Sequence, residues 1–242
     1  MKQIQLWVVV CAFLAGLILS AGDDGLIGSW PLNEGAGNIF KDVLGNNNGE
    51  ILYDMRGIKW VEGRNGKNPL FFGKEGERNS FGAVTIPGIG KYDFSKGITV
   101  SAWIKFSSTM KREAVYDIVS NATGDSGPGF RLMIHWGRLL FLSGDGKKAF
   151  SAMTTAAKFP FKAEIWYHVA STYDGSIFKV YVDGVKAGES EPDQKFTKGS
   201  DDISIGSYRN GYYYGFDGIV SDVKIYNKAI SPLEIMTIAK GL

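Results

Sequence analysis

Cysteine is almost absent: Cys11 is the single one in 242 residues, and it lies in an apolar N-terminal run. Beyond residue 22 the chain therefore has no disulfide, no thiol nucleophile and no Cys-ligated zinc to draw on. Histidine is scarce too, with only His135 and His168. No Gly-x-Ser-x-Gly elbow accompanies them, so a serine triad has no frame. Structural packing is the expected role of both histidines. No Lys/Arg tract stands out, which argues against nucleic acid as a partner. Low-complexity linkers and fixed-period repeats are missing as well.

The ends differ from the middle. Lys2 precedes an almost wholly apolar run over residues 6–19, then Ser20-Ala21-Gly22 and Asp23-Asp24. This is the pattern of a secretory signal peptide over residues 1–22, leaving 23–242 as one mature domain. The run is shorter than the roughly 20 residues of a transmembrane helix, so no membrane span is expected after cleavage. Left uncleaved, the segment would act as an anchor. Val10 rather than a small residue precedes Cys11, against lipid modification. Without Lys2 the basic count falls from 27 to 26 against 25 acidic residues, a net charge of +1. The expected location is secreted or cell-surface.

What is abundant is alternation. Ile98, Val100, Ala102, Ile104 and Phe106 share one side of a strand; Thr99, Ser101, Trp103 and Lys105 share the other. Phe178, Val180 and Val182 alternate with Lys179, Tyr181 and Asp183 in the same way. Turn signals separate such runs: Tyr173-Asp174-Gly175-Ser176, Asp183-Gly184 and Trp136-Gly137-Arg138. Further strands are expected at 26–32, 49–53, 69–72, 83–86, 115–120, 130–135, 139–142, 166–172, 203–206 and 219–226. The pattern predicts an all-β, antiparallel sandwich or barrel. One short C-terminal helix closes the chain: Ser231-Pro232-Leu233-Glu234 is a capping box with Pro at the first helical position. Ile235, Ile238 and Ala239 give it an apolar stripe to lay on a sheet.

Three stretches carry a family likeness. The first is Trp30-Pro31-Leu32-Asn33-Glu34-Gly35-Ala36-Gly37 with Asp42-Val43-Leu44-Gly45 and Gly49. The second is Trp166-Tyr167-His168-Val169-Ala170, Tyr173-Asp174-Gly175 and Val180-Tyr181-Val182-Asp183-Gly184. The third is Gly215-Phe216-Asp217-Gly218-Ile219-Val220-Ser221-Asp222-Val223-Lys224-Ile225-Tyr226-Asn227, continued by Lys228-Ala229-Ile230-Ser231. In this order and spacing they resemble the LamG-like jelly-roll family of the concanavalin A-like lectin/glucanase superfamily. The resemblance implies a jelly-roll sandwich of six or seven strands per sheet and a family whose members mostly bind, with some relatives that cleave polysaccharides. It also implies that the Asp of the opening loop, Asp42, and the position held here by Ser221 can lie near a structural calcium, with Asn47 among the loop oxygens; the alternative is that Asp42 and the Asn run simply make turns. Ser221 departs from the Asp expected there and lacks its charge. Asp222 is expected on the opposite side of its strand, beside Lys224, and Asp217 in a turn.

The glucanase branch carries Glu-x-Asp-x-x-Glu on one strand, and no such run occurs here. Glu113 and Asp117 follow a loop-like Lys111-Arg112, and Glu189, Glu191 and Asp193 read as an exposed loop. No catalytic residue is therefore expected, and glycoside hydrolysis is the lesser alternative. The densest aromatic tract spans residues 208–216. Tyr208, Arg209, Tyr212 and Tyr213, joined by Trp103 if the polar face of its strand is the concave one, form the expected ligand contacts, since Tyr combines an apolar ring with a hydroxyl; the alternative is a loop clamped onto the sheet edge by its own aromatics. The partner expected is a glycan, or an extracellular protein as for laminin-type adhesion modules. Asn121-Ala122-Thr123 is a glycosylation sequon.

Overall fold

The computed structural model describes residues 24–51, 57–73, 81–154, 161–193, 196–208 and 213–242. The signal segment, Arg209 and Tyr212 lie outside these residues. In chain order the strands are β1 (Leu26–Trp30), β2 (Ile39–Phe40), β3 (Gly49–Ile51), β4 (Ile58–Glu62), β5 (Lys67–Phe71) and β6 (Val84–Ile86). Then follow β7 (Ile98–Phe106), β8 (Val115–Ser120), β9 (Phe130–His135), β10 (Arg138–Gly144) and β11 (Ala149–Met153). The last are β12 (Trp166–Tyr173), β13 (Phe178–Val182), β14 (Val185–Ser190), β15 (Ile203–Ile205) and β16 (Gly218–Tyr226), before the helix α1 (Pro232–Ala239).

They form two eight-stranded antiparallel sheets. Sheet I runs β14-β13-β12-β7-β16-β5-β4, with β1 also on β16; sheet II runs β11-β10-β9-β8-β15-β6-β3-β2. The expectation of six or seven strands per sheet is thus exceeded, by short strands such as β2 and β4 that pair weakly patterned sequence. The alternation places Val100, Ala102, Ile104 and Phe106 of sheet I against Phe130, Leu132, Ile134, Leu139 and Phe141 of sheet II in one core. Phe141 meets Phe178 across the layers with centroids 5.3 Å apart and planes at 75°. Each such buried ring contributes about 2–3 kcal/mol of transfer free energy.

Helix α1 begins as its sequence requires. Ser231 Oγ accepts from Glu234 N at 3.2 Å, and Glu234 Oε2 accepts from Ser231 N at 2.7 Å. Ile230 and Ile235 then cover Ala170, Tyr181 and Tyr226 on the outer side of sheet I, in a second small cluster. Among the described residues no helix is long and apolar enough to cross a membrane.

Strand β16 breaks the simple alternation. Ser221 pairs with Trp103 but Lys224 pairs with Ser101, so one extra residue is inserted. The neighbour on its other edge changes there, from β5 at Gly218–Ile219 to β1 at Val223–Tyr226. Asp222 takes a left-handed φ of 49° and donates its N–H to Pro31 O at 3.2 Å. It therefore joins Ser221 instead of pointing away from it, and its partner is Arg64 at 3.2 Å rather than Lys224. Asp217 accepts from Ser107 Oγ at 2.5 Å and Thr109 Oγ1 at 2.9 Å, which pins the neighbouring turn. Glu189, expected in a loop, sits in β14 and pairs with Lys186 at 2.9 Å.

Candidate functional site

The outer side of sheet II carries the chain's densest chemistry. On β9, Phe130, Leu132 and Ile134 fill the core, so the alternation turns Arg131, Met133 and His135 outward. Arg131 is nevertheless only 3% exposed, and its partner Asp117 on β8 is 0% exposed. Nε and Nη2 donate to Asp117 Oδ1 and Oδ2 at 2.9 and 2.6 Å, and Nη1 to Asp125 at 3.1 Å. Burial works against the Arg131 charge, but Asp117 beside it more than offsets that and holds the pKa above its ordinary value. The Tyr208 and Tyr214 rings lie 4.4 and 4.9 Å from the guanidinium. Tyr208 and Tyr213 exchange backbone hydrogen bonds at 2.8 and 3.2 Å. Tyr208 is thus buried as a cover on Arg131, and Tyr213, 40% exposed, is the described tyrosine of this loop that faces solvent.

Beyond this cluster lies the β9–β10 turn. Trp136 and Gly137 connect the paired residues His135 and Arg138, with φ of 52° and 71°. Positive φ at both positions is the backbone that Asn-Gly favours, and a bulky aromatic in the first is a costly choice. Trp136 is also 62% exposed, and His135 stacks on it at 5.8 Å with planes at 14°. His135, Trp136, Arg138, Leu140 and Met153 line an open cavity of about 310 Å³. Burial, then the charges of Arg131 and Arg138, hold the His135 pKa below its ordinary value, so the ring is neutral near pH 7. The expectation of structural packing fails for this histidine: the strand ends at it, and its ring stands at the cavity.

Trp103 is placed elsewhere. It projects from the outer side of sheet I, with the Arg64 guanidinium 3.9 Å from its ring and His168 edge-on at 5.5 Å. Tyr208 lies on Arg131 at the outer side of sheet II, with Tyr213 paired to it, so the core separates Trp103 from them and the expected joint site does not form among the described residues. Period two assigns a side to a residue but does not say which sheet the strand joins. His168 does pack, 1% exposed, with neither ring nitrogen hydrogen-bonded.

The residues expected around calcium are committed to other bonds. Asp42 Oδ1 accepts from Ser29 N at 2.9 Å and Leu44 N at 3.2 Å; Oδ2 accepts from Asn46 N at 3.3 Å and Asn47 N at 3.2 Å. Four donors take the roughly four lone-pair sites of one carboxylate. The Asn47 carbonyl accepts from buried Trp30 Nε1 at 2.8 Å. Ser221 Oγ lies in a separate network with Pro31 O, Asn65 Oδ1 and Asp222 Oδ2 at 3.1–3.2 Å. Asp42 and Asn47 therefore do not fit a calcium shared with Ser221. Among the described residues no group of three His, Cys, Asp or Glu comes together.

Two further sites are closed. Asn121, the sequon residue, is 4% exposed; it accepts from Phe130 N at 2.8 Å and donates to Ser200 O at 3.2 Å, so in the folded chain it offers no acceptor. Asp117 and Asp125 both contact Arg131, but the oxygens of Asp117 are buried and taken. That pair cannot supply the acid and nucleophile of a glycosidase, which must both reach the sugar.

A laminin G-type family model, described as the concanavalin A-like lectin/glucanases superfamily, matches residues 78–236. No curated protein matches the chain. Among solved structures, one described as a receptor binding domain superposes with a TM-score of 0.70 at 15% identity, over 92% of this chain and 52% of the other. The binding domain of botulinum neurotoxin DC, in complex with rat synaptotagmin II, gives 0.68 at 14% identity over 91% and 52%. A structure of botulinum neurotoxin type C, whose cell entry is dependent upon interaction with two ganglioside molecules, gives 0.67 at 15% identity over 92% and 52%. The chain spans about half the length of the structures it matches. At these identities the likeness is one of fold.

Proposed function

The chain belongs to the concanavalin A-like lectin/glucanases superfamily, and from that premise we propose that it is a non-catalytic, exported binding module whose ligand is a carbohydrate. The observation that carries the reading is Trp136, a large exposed ring held at left-handed φ beside a cavity of about 310 Å³. A residue kept in a conformation unfavourable to it points to a gain outside folding. The indole offers a sugar its flat apolar side; Leu140 and Met153 give an apolar floor; His135 and Arg138 give polar edges. Tyr213 extends the same side of the sandwich. Export is supported by the composition of residues 1–22.

A glycan screen followed by calorimetry tests this. The native protein is expected to bind at least one oligosaccharide, and Trp136→Ala to weaken it at least tenfold while melting normally. Equal affinity in the variant removes Trp136 from the site.

A second reading, a protein-binding module, draws on apolar side chains exposed at one place. Leu233 and Met236 of α1 stand beside the β13–β14 turn, where Val185 is exposed and Gly184 meets Met236. A pull-down that survives Trp136→Ala but not Leu233→Glu would favour it.

A further inference from the structure

The arginines of sheet II's outer side divide into two kinds. Arg131 spends its donors on Asp117 and Asp125 and lies against two tyrosine rings. Arg138 is exposed; one nitrogen lies 3.7 Å from Met153 Sδ, and thioether sulfur is a weak acceptor. Arg112 is exposed as well, with its stem against the turn: a Cβ built on Gly137 would sit 3.1 and 3.2 Å from its Cγ and Nε. Neither has a carboxylate partner among the described residues, and Glu113, next to Arg112 in sequence, pairs with neither. Two unneutralised guanidinium groups therefore flank Trp136, one of them in the cavity wall.

A guanidinium presents paired N–H donors in a fixed fork that matches a carboxylate or sulfate, and such bonds are about twice as strong as neutral ones. The cavity below is lined by Leu140 and Met153, and none of its described lining residues is a carboxylate. An uncharged sugar would use the ring of Trp136 and accept single hydrogen bonds from Arg138 through its hydroxyls, but would leave the paired fork and the charge unmatched. We infer that the ligand of this site is an acidic sugar, its ring laid on Trp136 and its carboxylate or sulfate ester held by Arg138, with Arg112 adding charge from the turn. This rests on the carbohydrate reading above and narrows it to a substrate class.

The test uses three probes of equal length: an oligouronate, a sulfated galacto-oligosaccharide and a neutral galacto-oligosaccharide, each titrated at 20 and 300 mM salt. The native protein should bind one acidic probe at least tenfold tighter than the neutral one, with the preference shrinking at high salt because exposed charges are screened. Arg138→Gln should bring the ratio close to one, and Arg138→Lys should restore part of it, since charge returns without the fork. Circular dichroism melts confirm that both variants fold. Binding of the neutral probe as tight as the acidic ones overturns the acidic assignment and leaves the carbohydrate reading standing. No binding to any of the three overturns the acidic assignment, and the broader glycan screen then decides the carbohydrate reading. The two acidic arms tell carboxylate from sulfate.

Discussion

His168 shows what a single side chain costs when it is enclosed without a partner. Burial, then the positive charges of Arg64 and Lys224, lower its pKa from 6.5 to about 4. As pH falls, the unfolded chain takes up the proton first, so stability is full above about 6.5 and declines as pH drops toward 4. Across that interval the loss is about 3 kcal/mol. Urea melts at pH 7.5 and 4.5 should show it, and His168→Phe, which keeps an aromatic edge for Trp103, should remove most of it. An unchanged decline in that variant would place the proton elsewhere. Single residues were also the hardest to read in advance. Two histidines, both read as packing from strand pattern, separate into one enclosed by sheet I and one standing at a strand end. Asn121 fits a modification signal, yet its amide is consumed by Phe130 N and Ser200 O. For His168 and Asn121 the deciding neighbours, such as Arg64 and Ser200, are distant in sequence, whereas for His135 it is the end of its strand and the adjacent Trp136.

At the scale of elements, the β9–β10 hairpin sets two demands against each other. Its two connecting residues both have positive φ, which favours Asn-Gly, and the first is Trp. Trp136→Asn should therefore stabilise the protein by about 1 kcal/mol, or roughly 2–4 °C in Tm for a domain of this size. Sugar binding should fall in the same variant, a trade of stability against function that calorimetry and melting together would reveal. A lower Tm would mean that the indole is held by packing instead. Elements were the most legible level. The capping box of α1 and the Asp183-Gly184 turn follow directly from local chemistry, since their hydrogen bonds and φ preferences span only a few residues. Strand β16 was legible except at its insertion: Ser221 and Asp222 read as opposite sides until the change of neighbour from β5 to β1 is seen.

At the scale of the whole molecule, the two outer sides of the sandwich are separate surfaces with a packed core between them. Substitutions that far apart act independently. Trp103→Ala should thus leave the affinity for the glycan that Trp136 binds within twofold, measured on protein shown to be folded. A loss comparable to that of Trp136→Ala would mean that the ligand reaches both sides. An antiparallel β fold was readable from alternation, because a core selects apolar residues at every second position; that it forms a two-sheet sandwich and not a barrel rested on the family resemblance. Which strands share a sheet was not, because pairing between β16 and β7, or β15 and β8, joins segments over a hundred or roughly eighty residues apart.

One detail near the start of the folded chain orients everything else. Asn227 N donates to Gly25 O at 2.8 Å, and Lys228 reaches Asp24 at 2.9 Å, so the first described residues are fastened beside the strand that leads into α1. That fastening lies in sheet I, the layer opposite the one that carries Trp136. A support coupled at Asp24 would thus stand behind the sandwich, with the Trp136 turn facing away from it.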